Sequence, residues 1–207
     1  MTQDDPQVQV FALIPAAGAS TRMGRPKQLL PLGKTTLLER VIEAVLWGDI
    51  DGLCVLTSSV IDGQLALSED PRFLVAINDN TASEMIDSVR MGIAALYARC
   101  HVRDRDGFLV CPGDMAEVSA DDVRALTGAY REQPGRIVIA THTGQRGHPM
   151  VFPASLAAEV RQIRDGGLKV LAERHAADVR LVERTSPGVI RDVDMPEDFE
   201  RLNEGER

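Results

Sequence analysis

From Val8 onward, short apolar runs alternate with amphipathic stretches, and this alternation restricts the possible folds more than any other feature. Strands are expected at Val8–Ile14, Leu53–Leu56, Phe73–Ile77, Phe108–Cys111, Arg136–Thr141, Met150–Phe152, Asp178–Val182 and Val189–Val193. Between them, Thr36–Leu46 carries Leu37, Leu38, Val41, Ile42 and Val45 at helical spacing, and Ala82–Tyr97 does the same with Met85, Ile86, Val89, Ile93 and Leu96. Ser119 reads as the N-cap of a further helix, with Asp121 and Asp122 in its first turn. Leu156–Ile163 and Leu168–His175 read as helices, and Pro196 opens a terminal one. Alternation of this kind implies an α/β three-layer sandwich, with helices on both faces of a mostly parallel sheet. No internal repeat or long linker interrupts it, so residues 1–207 are expected to form one domain, with 1–7 disordered.

The 23 basic and 31 acidic residues leave a net charge of −8, which argues against a nucleic-acid partner. An apolar share of 44% and a charged share of 26% are those of a soluble globular chain. No run approaches the roughly 18 apolar residues of a membrane helix. The polar, acidic Met1–Gln9 is not a secretory signal. Cys54, Cys100 and Cys111 lack C-x-x-C spacing and are odd in number, so free thiols and a cytoplasmic location are expected. Aromatics are only 4%, which makes the core aliphatic; Met23, Met85 and Met91 read as core filling, and Trp47 as packed at a helix end.

Ligands of open α/β sheets sit beyond the carboxyl ends of the strands, so the loops there are the places to search. The first runs from Pro15 to Gln28 and joins small residues (Ala16, Ala17, Gly18, Ser20, Gly24) to Arg22, Arg25 and Lys27. Small residues let a backbone approach a ligand, and N–H groups with cations suit a polyphosphate. Ala19-Ser20 after Gly18 breaks a dinucleotide fingerprint, and Gln28 stands where a P-loop ending in Gly33-Lys34-Thr35 needs glycine, so that triplet reads as a turn and helix cap.

The pattern Ala16-Ala17-Gly18-x-Ser20-x-Arg22-Met23-Gly24-x-x-Lys27-x-Leu29-Leu30-Pro31 resembles the signature of the MobA-like nucleotidyltransferases, which have the Rossmann-like nucleotide-diphospho-sugar transferase fold. Within that superfamily the chain looks like the molybdenum cofactor cytidylyltransferases. The resemblance extends from Phe11 to Leu202. It implies transfer of CMP from CTP to a phosphorylated, molybdopterin-type acceptor, with Mg²⁺ or Mn²⁺ as cofactor and a molybdoenzyme apoprotein as a further partner. It also implies that the loop wraps the triphosphate, with Arg22 and Lys27 on the phosphates. Related guanylyltransferases carry Gly-Gly where this chain has Ala17-Gly18. A sterol-precursor cytidylyltransferase family shares Pro15–Gly18 and Pro26–Gln28, and a cytidylyl-, uridylyl- or other nucleotidyltransferase for another phosphorylated metabolite is the second reading. A non-catalytic cofactor carrier is the rival class.

The strand Gly107–Cys111 delivers Asp114 at its end. A carboxylate there suits Mg²⁺, which takes one or two carboxylates plus nucleotide phosphates, or else caps a helix. The resemblance favours the metal, with Ala116 where the family usually has Pro. Asp192 and Asp194 on a strand would share one side, about 7 Å apart, and either could complete a metal site; Asp194 also suits a helix cap. Glu197 and Asp198 belong to the helix N-terminus. The family places a Gly-His-Pro segment, here Gly147-His148-Pro149, and a Gly-Asp-x-Gly segment, here Arg164-Asp165-Gly166-Gly167, near the acceptor, which makes His148 and Asp165 substrate-binding candidates. The same resemblance puts Asn78 and Ser88 at the nucleotide.

Overall fold

The computed structural model describes residues 7–18, 25–65, 70–80 and 82–204. Ser20, Arg22 and Met23 lie outside the described residues, as do residues 1–6 of the expected disordered start. Gln7 is described, and its carbonyl accepts from Arg103 at 2.7 Å.

The strands are β1 (Val10–Pro15), β2 (Pro31–Leu32), β3 (Thr35–Thr36), β4 (Gly52–Thr57), β5 (Phe73–Ile77), β6 (Gly107–Val110), β7 (Ile137–His142), β8 (Gln145–Pro153) and β9 (Val179–Glu183). The helices are α1 (Leu37–Leu46), α2 (Ser59–Asp62), α3 (Met85–Arg99), α4 (Ala120–Glu132), α5 (Ala157–Val160), α6 (Gly167–Arg174) and α7 (Pro196–Glu204). Seven strands form one sheet in the order β5-β4-β1-β6-β8-β7-β9; β2 and β3 form a separate small hairpin. Within the seven-stranded sheet every neighbouring pair is parallel except those made by β8, which runs antiparallel to β6 and β7.

Strand side chains alternate between two faces. Val10, Ala12 and Ile14 join Leu53, Val55 and Leu109 under α1 and α4. Phe11 and Leu13 join Cys54, Leu56, Phe108 and Val110 under α3, α5 and α6. The three layers follow directly, and each fully enclosed Leu, Ile or Phe contributes about 1.5–3 kcal/mol of burial. Cys54 and Cys111 are buried thiols, as expected; burial pushes Cys54 up to about 12.

Capping sets the helix starts. The Thr36 hydroxyl accepts from Glu39 N–H, and the Glu39 carboxylate accepts from Thr36 N–H. The cap is therefore Thr36, one residue past the Gly33-Lys34-Thr35 turn. Ser119 and Asp122 make the same reciprocal pair at α4.

Five expectations are corrected. Val189–Val193 is not a strand: Pro187–Ile190 forms a 3-10 turn, and the segment then runs irregularly to Pro196. Pro187 fixes φ and lacks a donor, which suits a turn and not a ladder. The Ala82–Tyr97 helix starts only at Met85, because the Asp87 carboxylate accepts from Glu84 N–H and closes the first turn there. Leu156–Ile163 is a 3-10 turn at Ala154–Leu156 followed by the short α5. Strand β8 starts at Gln145 and not Met150, because Thr143 (φ 49°) and Gly144 (φ 81°) form a two-residue turn of the kind that pairs adjacent strands. Finally, Trp47 is 75% exposed at the end of α1, and Met85 and Met91 are 39% and 37% exposed, so none of the three fills the core.

Candidate active site

Parallel β1, β4, β5 and β6 end on one edge of the sheet. β8 runs the other way, so it reaches that edge with its amino end. With Val110 opposite Met150, the residues before Met150 lie beside the loop that follows β6. His148 is therefore brought to the same edge as Asp114, close enough for the carboxylate's charge to act on the imidazole.

The Gly-rich loop leaves β1 at Pro15, with Ala16 N–H donating to Leu56 O at 2.7 Å. The buried Gln28 braces it: its amide donates to Ala16 O at 2.9 Å and to Gly18 O at 3.0 Å. A Cβ at Gly113 would lie 2.8 Å from Ala16 Cβ, so the loop after β6 presses against the first turn of the Gly-rich loop only because residue 113 is glycine. A cleft of about 160 Å³ opens between them, lined by Ala16, Ala17, Gly18, Lys27, Ser88 and Asp114 among others.

Lys27 crosses this cleft. Its Nζ lies 2.7 Å from Asp114 Oδ2 and 2.6 Å from Asp194 Oδ1, and its side chain is only 12% exposed. Burial alone would lower the ammonium's pKa, but the two carboxylates raise it above the ordinary lysine value. Val193 N–H donates to Asp114 O at 3.1 Å and draws the Asp194 segment to the end of β6. Asp194 thus uses its carboxylate on Lys27, while Asp198 Oδ2 accepts from the N–H groups of Asp194 and Met195. Asp192 does not share a strand face with Asp194. Burial, with the charges of Asp194 and Asp114, holds its carboxyl above the usual range.

Asp114 Oδ1 is buried and has no hydrogen-bond partner among the described residues. A buried carboxylate oxygen beside a second carboxylate fits a hard divalent cation, which prefers oxygen ligands. Among the described residues no group of three or more His, Cys, Asp or Glu forms a complete cage. A metal here would draw its other ligands from phosphate or water.

Asn78 does not line the cleft. Its amide donates to Ser83 Oγ at 2.9 Å and Ser88 Oγ at 3.1 Å, and it orients those two lining residues. Met85 lines the cleft and also a neighbouring cavity of about 420 Å³. That cavity has an apolar floor of Ile139, Met150 and Leu168, with Arg146, His148 and Lys169 around it. His148 Nδ1 is enclosed and unpartnered among the described residues. Burial lowers the imidazole's pKa, opposed by the Val110 carbonyl and by Asp114 and Asp192. Asp165 is exposed and precedes Gly166 and Gly167, which do line the cavity.

Two contributors were not singled out from sequence. Gln28 is visible only as part of the Pro26-Lys27-Gln28 run, and Met85 is indistinguishable by periodicity from its core-facing neighbours.

The edge of the sheet thus brings a braced small-residue loop, Lys27 and the Asp114 carboxylate to one cleft, with Asp194 paired to the same lysine. The family model for the MobA-like NTP transferase domain matches residues 12–179. The chain is 28% identical over 159 residues to a probable molybdenum cofactor guanylyltransferase of Rhodopirellula baltica, covering 74% of this chain and 72% of that one. It is 29% identical over 184 residues to a 2-C-methyl-D-erythritol 4-phosphate cytidylyltransferase of Salmonella arizonae, covering 77% and 76%. The crystal structure of Rv0371c from Mycobacterium tuberculosis H37Rv superposes with a TM-score of 0.79 at 26% identity, over 96% of this chain and 99% of that one. With the match spanning most of the sheet and the whole cleft, the chain belongs to the MobA-like NTP transferase family and is a nucleotidyltransferase.

Proposed function

We propose that the protein transfers CMP from CTP to the phosphate of a small, ring-bearing acceptor of molybdopterin type and releases pyrophosphate. One observation carries this reading: the cleft lined by Lys27 and Asp114 shares Met85 as a wall with a second, apolar-floored cavity that has cations around it. The first suits a triphosphate and the second suits a flat apolar body bearing a phosphate.

An acceptor phosphate oxygen attacks the α-phosphorus, the α–β bridging bond breaks, and pyrophosphate departs with the bridging oxygen. The acceptor oxygen is already anionic, so no general base is required. Lys27, with Arg22 from the same loop, neutralises charge growing on the leaving group. The N–H groups of Ala17 and Gly18, with Ser20, hold phosphate oxygens, and Asn78 sets Ser88 at the nucleotide. Asp114 and Asp194 hold Mg²⁺, for which Mn²⁺ can substitute; the ion supplies charge neutralisation along the triphosphate. His148 and Asp165 meet the acceptor.

Ala17 favours cytosine over guanine. Its methyl group lines the cleft where the guanine users have glycine, and the Gln28 brace keeps that wall from receding. The second reading takes its support from the cytidylyltransferase relative, whose named substrate is a polyol phosphate; the apolar floor argues for a ring instead. Pyrophosphate release, measured with CTP or GTP against a molybdopterin and a polyol phosphate, tests both. Release with CTP and the polyol phosphate alone would overturn the acceptor, and CTP binding with no release for any acceptor would favour a carrier.

A further inference from the structure

Lys27 sits where two carboxylates converge. Its ammonium contacts Asp114 Oδ2 and Asp194 Oδ1 at ion-pair distance, and it bridges these oxygens. The other oxygen of Asp114 is buried and unpartnered among the described residues. A divalent cation and an ammonium compete for the same oxygens in such a pair, because both are held by carboxylate charge at close range. The ammonium arrives on a short 3-10 turn, Lys27–Leu29, whose next residue Gln28 is fixed to the main chain of the Gly-rich loop. The lysine backbone is therefore anchored beside the residues that line the phosphate end of the cleft, and only the flexible four-carbon stem has to move for Nζ to turn from carboxylate to phosphate.

We propose that Lys27 is an internal counter-ion that occupies the Asp114–Asp194 pair in the free protein, so that divalent metal gains the pair only when nucleotide phosphates draw the ammonium away. The inference rests on the reading that these two carboxylates hold the metal. Its consequence is ordered loading: the free protein binds metal weakly, and metal and nucleotide enter together. The same ammonium that excludes metal from the free protein then lies on the phosphates.

Equilibrium dialysis of Mn²⁺ tests this, with and without CTP in both chambers, on the wild type, Lys27→Met, Lys27→Gln, Asp114→Asn and the double variant Lys27→Met/Asp114→Asn. Lys27→Gln keeps hydrogen bonding to the carboxylates without the charge, which covers the case in which Lys27→Met does not fold. Without nucleotide, the lysine variants are expected to bind Mn²⁺ at least about tenfold more tightly than wild type, and the double variant is expected to lose that gain. If the lysine variants bind no more tightly than wild type while Asp114-dependent binding with CTP persists, the metal site stands and the counter-ion role is overturned. Wild-type binding that is equally tight with and without CTP also overturns it. If Mn²⁺ binding in the presence of CTP is indifferent to Asp114→Asn, the metal reading falls and takes the inference with it.

Discussion

The N–H of Val193 donates to the carbonyl oxygen of Asp114 at 3.1 Å, and this bond joins two acidic segments from opposite ends of the second half of the chain. It sets Asp194 next to Asp114 without a strand ladder. The carboxylate pair is therefore a product of loop packing and not of strand periodicity.

Asp114→Asn is expected to lower turnover at least tenfold, about 1.4 kcal/mol in barrier, with a melting temperature within about 5 °C of wild type. The substitution keeps the side-chain shape but removes the charge that faces Lys27. Pyrophosphate release alongside a thermal melt checks both halves, and activity above about a tenth of wild type would refute the assignment.

Lys27→Ala and Arg22→Ala are expected to reduce kcat more than they weaken CTP binding. Charge accumulates on pyrophosphate in the transition state, so cations there act mainly on the barrier. Steady-state kinetics with a separate CTP binding measurement decides it: equal losses in affinity and kcat/KM at constant kcat would mean uniform binding instead.

Competition of GTP, UTP and ATP against CTP is expected to show at least about tenfold preference for CTP over GTP, ~1.4 kcal/mol. On the proposed reading the Ala17 methyl crowds a purine, and Gln28 braces the residues on either side of it. Ala17→Gly should recover part of the GTP binding. UTP, with the same shape as CTP, should be discriminated less.

Gly147→Ala is expected to destabilise the protein by about 1–3 kcal/mol and to reduce turnover as well. A Cβ at 147 would lie 1.8 Å from Val189 O, so the segment that carries Asp192 and Asp194 must shift. Denaturant unfolding and activity measured on one sample check this; a variant unchanged in both would show that the segment is free to move.

Asp106→Asn is expected to cost about 2–4 kcal/mol at pH 7. Asp106 is fully buried and accepts from Gln9 N–H, Arg103 N–H and the Arg103 guanidinium, clamping the starts of β1 and β6. Burial alone would raise its pKa, but the Arg103 and backbone hydrogen bonds outweigh it and hold the carboxyl below its ordinary value. Its stabilisation is thus complete above the unfolded pKa near 4 and is lost as pH falls through the lower folded value. Unfolding free energies of wild type and variant should differ at pH 7, draw together only as the pH falls below about 4, and converge below the lower folded pKa.

The fold class, the strand alternation from Val10 to Val110 and the cap at Ser119 could be read from the sequence because each rests on local periodicity or on a side chain three residues away, whereas the cap of α1 fell on Thr36, one residue past the triplet read for it. The Gly-rich loop with Lys27 and the carboxylate of Asp114 were legible for the same reason: residue types and a strand end are local signals. Tertiary structure alone decided the rest. Strand β8 runs antiparallel because Thr143 and Gly144 reverse the chain, and only that reversal carries His148 to the carboxyl edge. Val189–Val193 has a strand's composition, yet close backbone contacts at Gly147 and Gly188 and the bond to Asp114 hold it as an irregular segment. Met85 follows the helical repeat but overhangs the sheet edge, so it faces two cavities instead of the core. The ion pairs of Lys27 with Asp114 and Asp194 span most of the chain, and no window of sequence contains them, because their free energy depends on distances that only the folded chain sets.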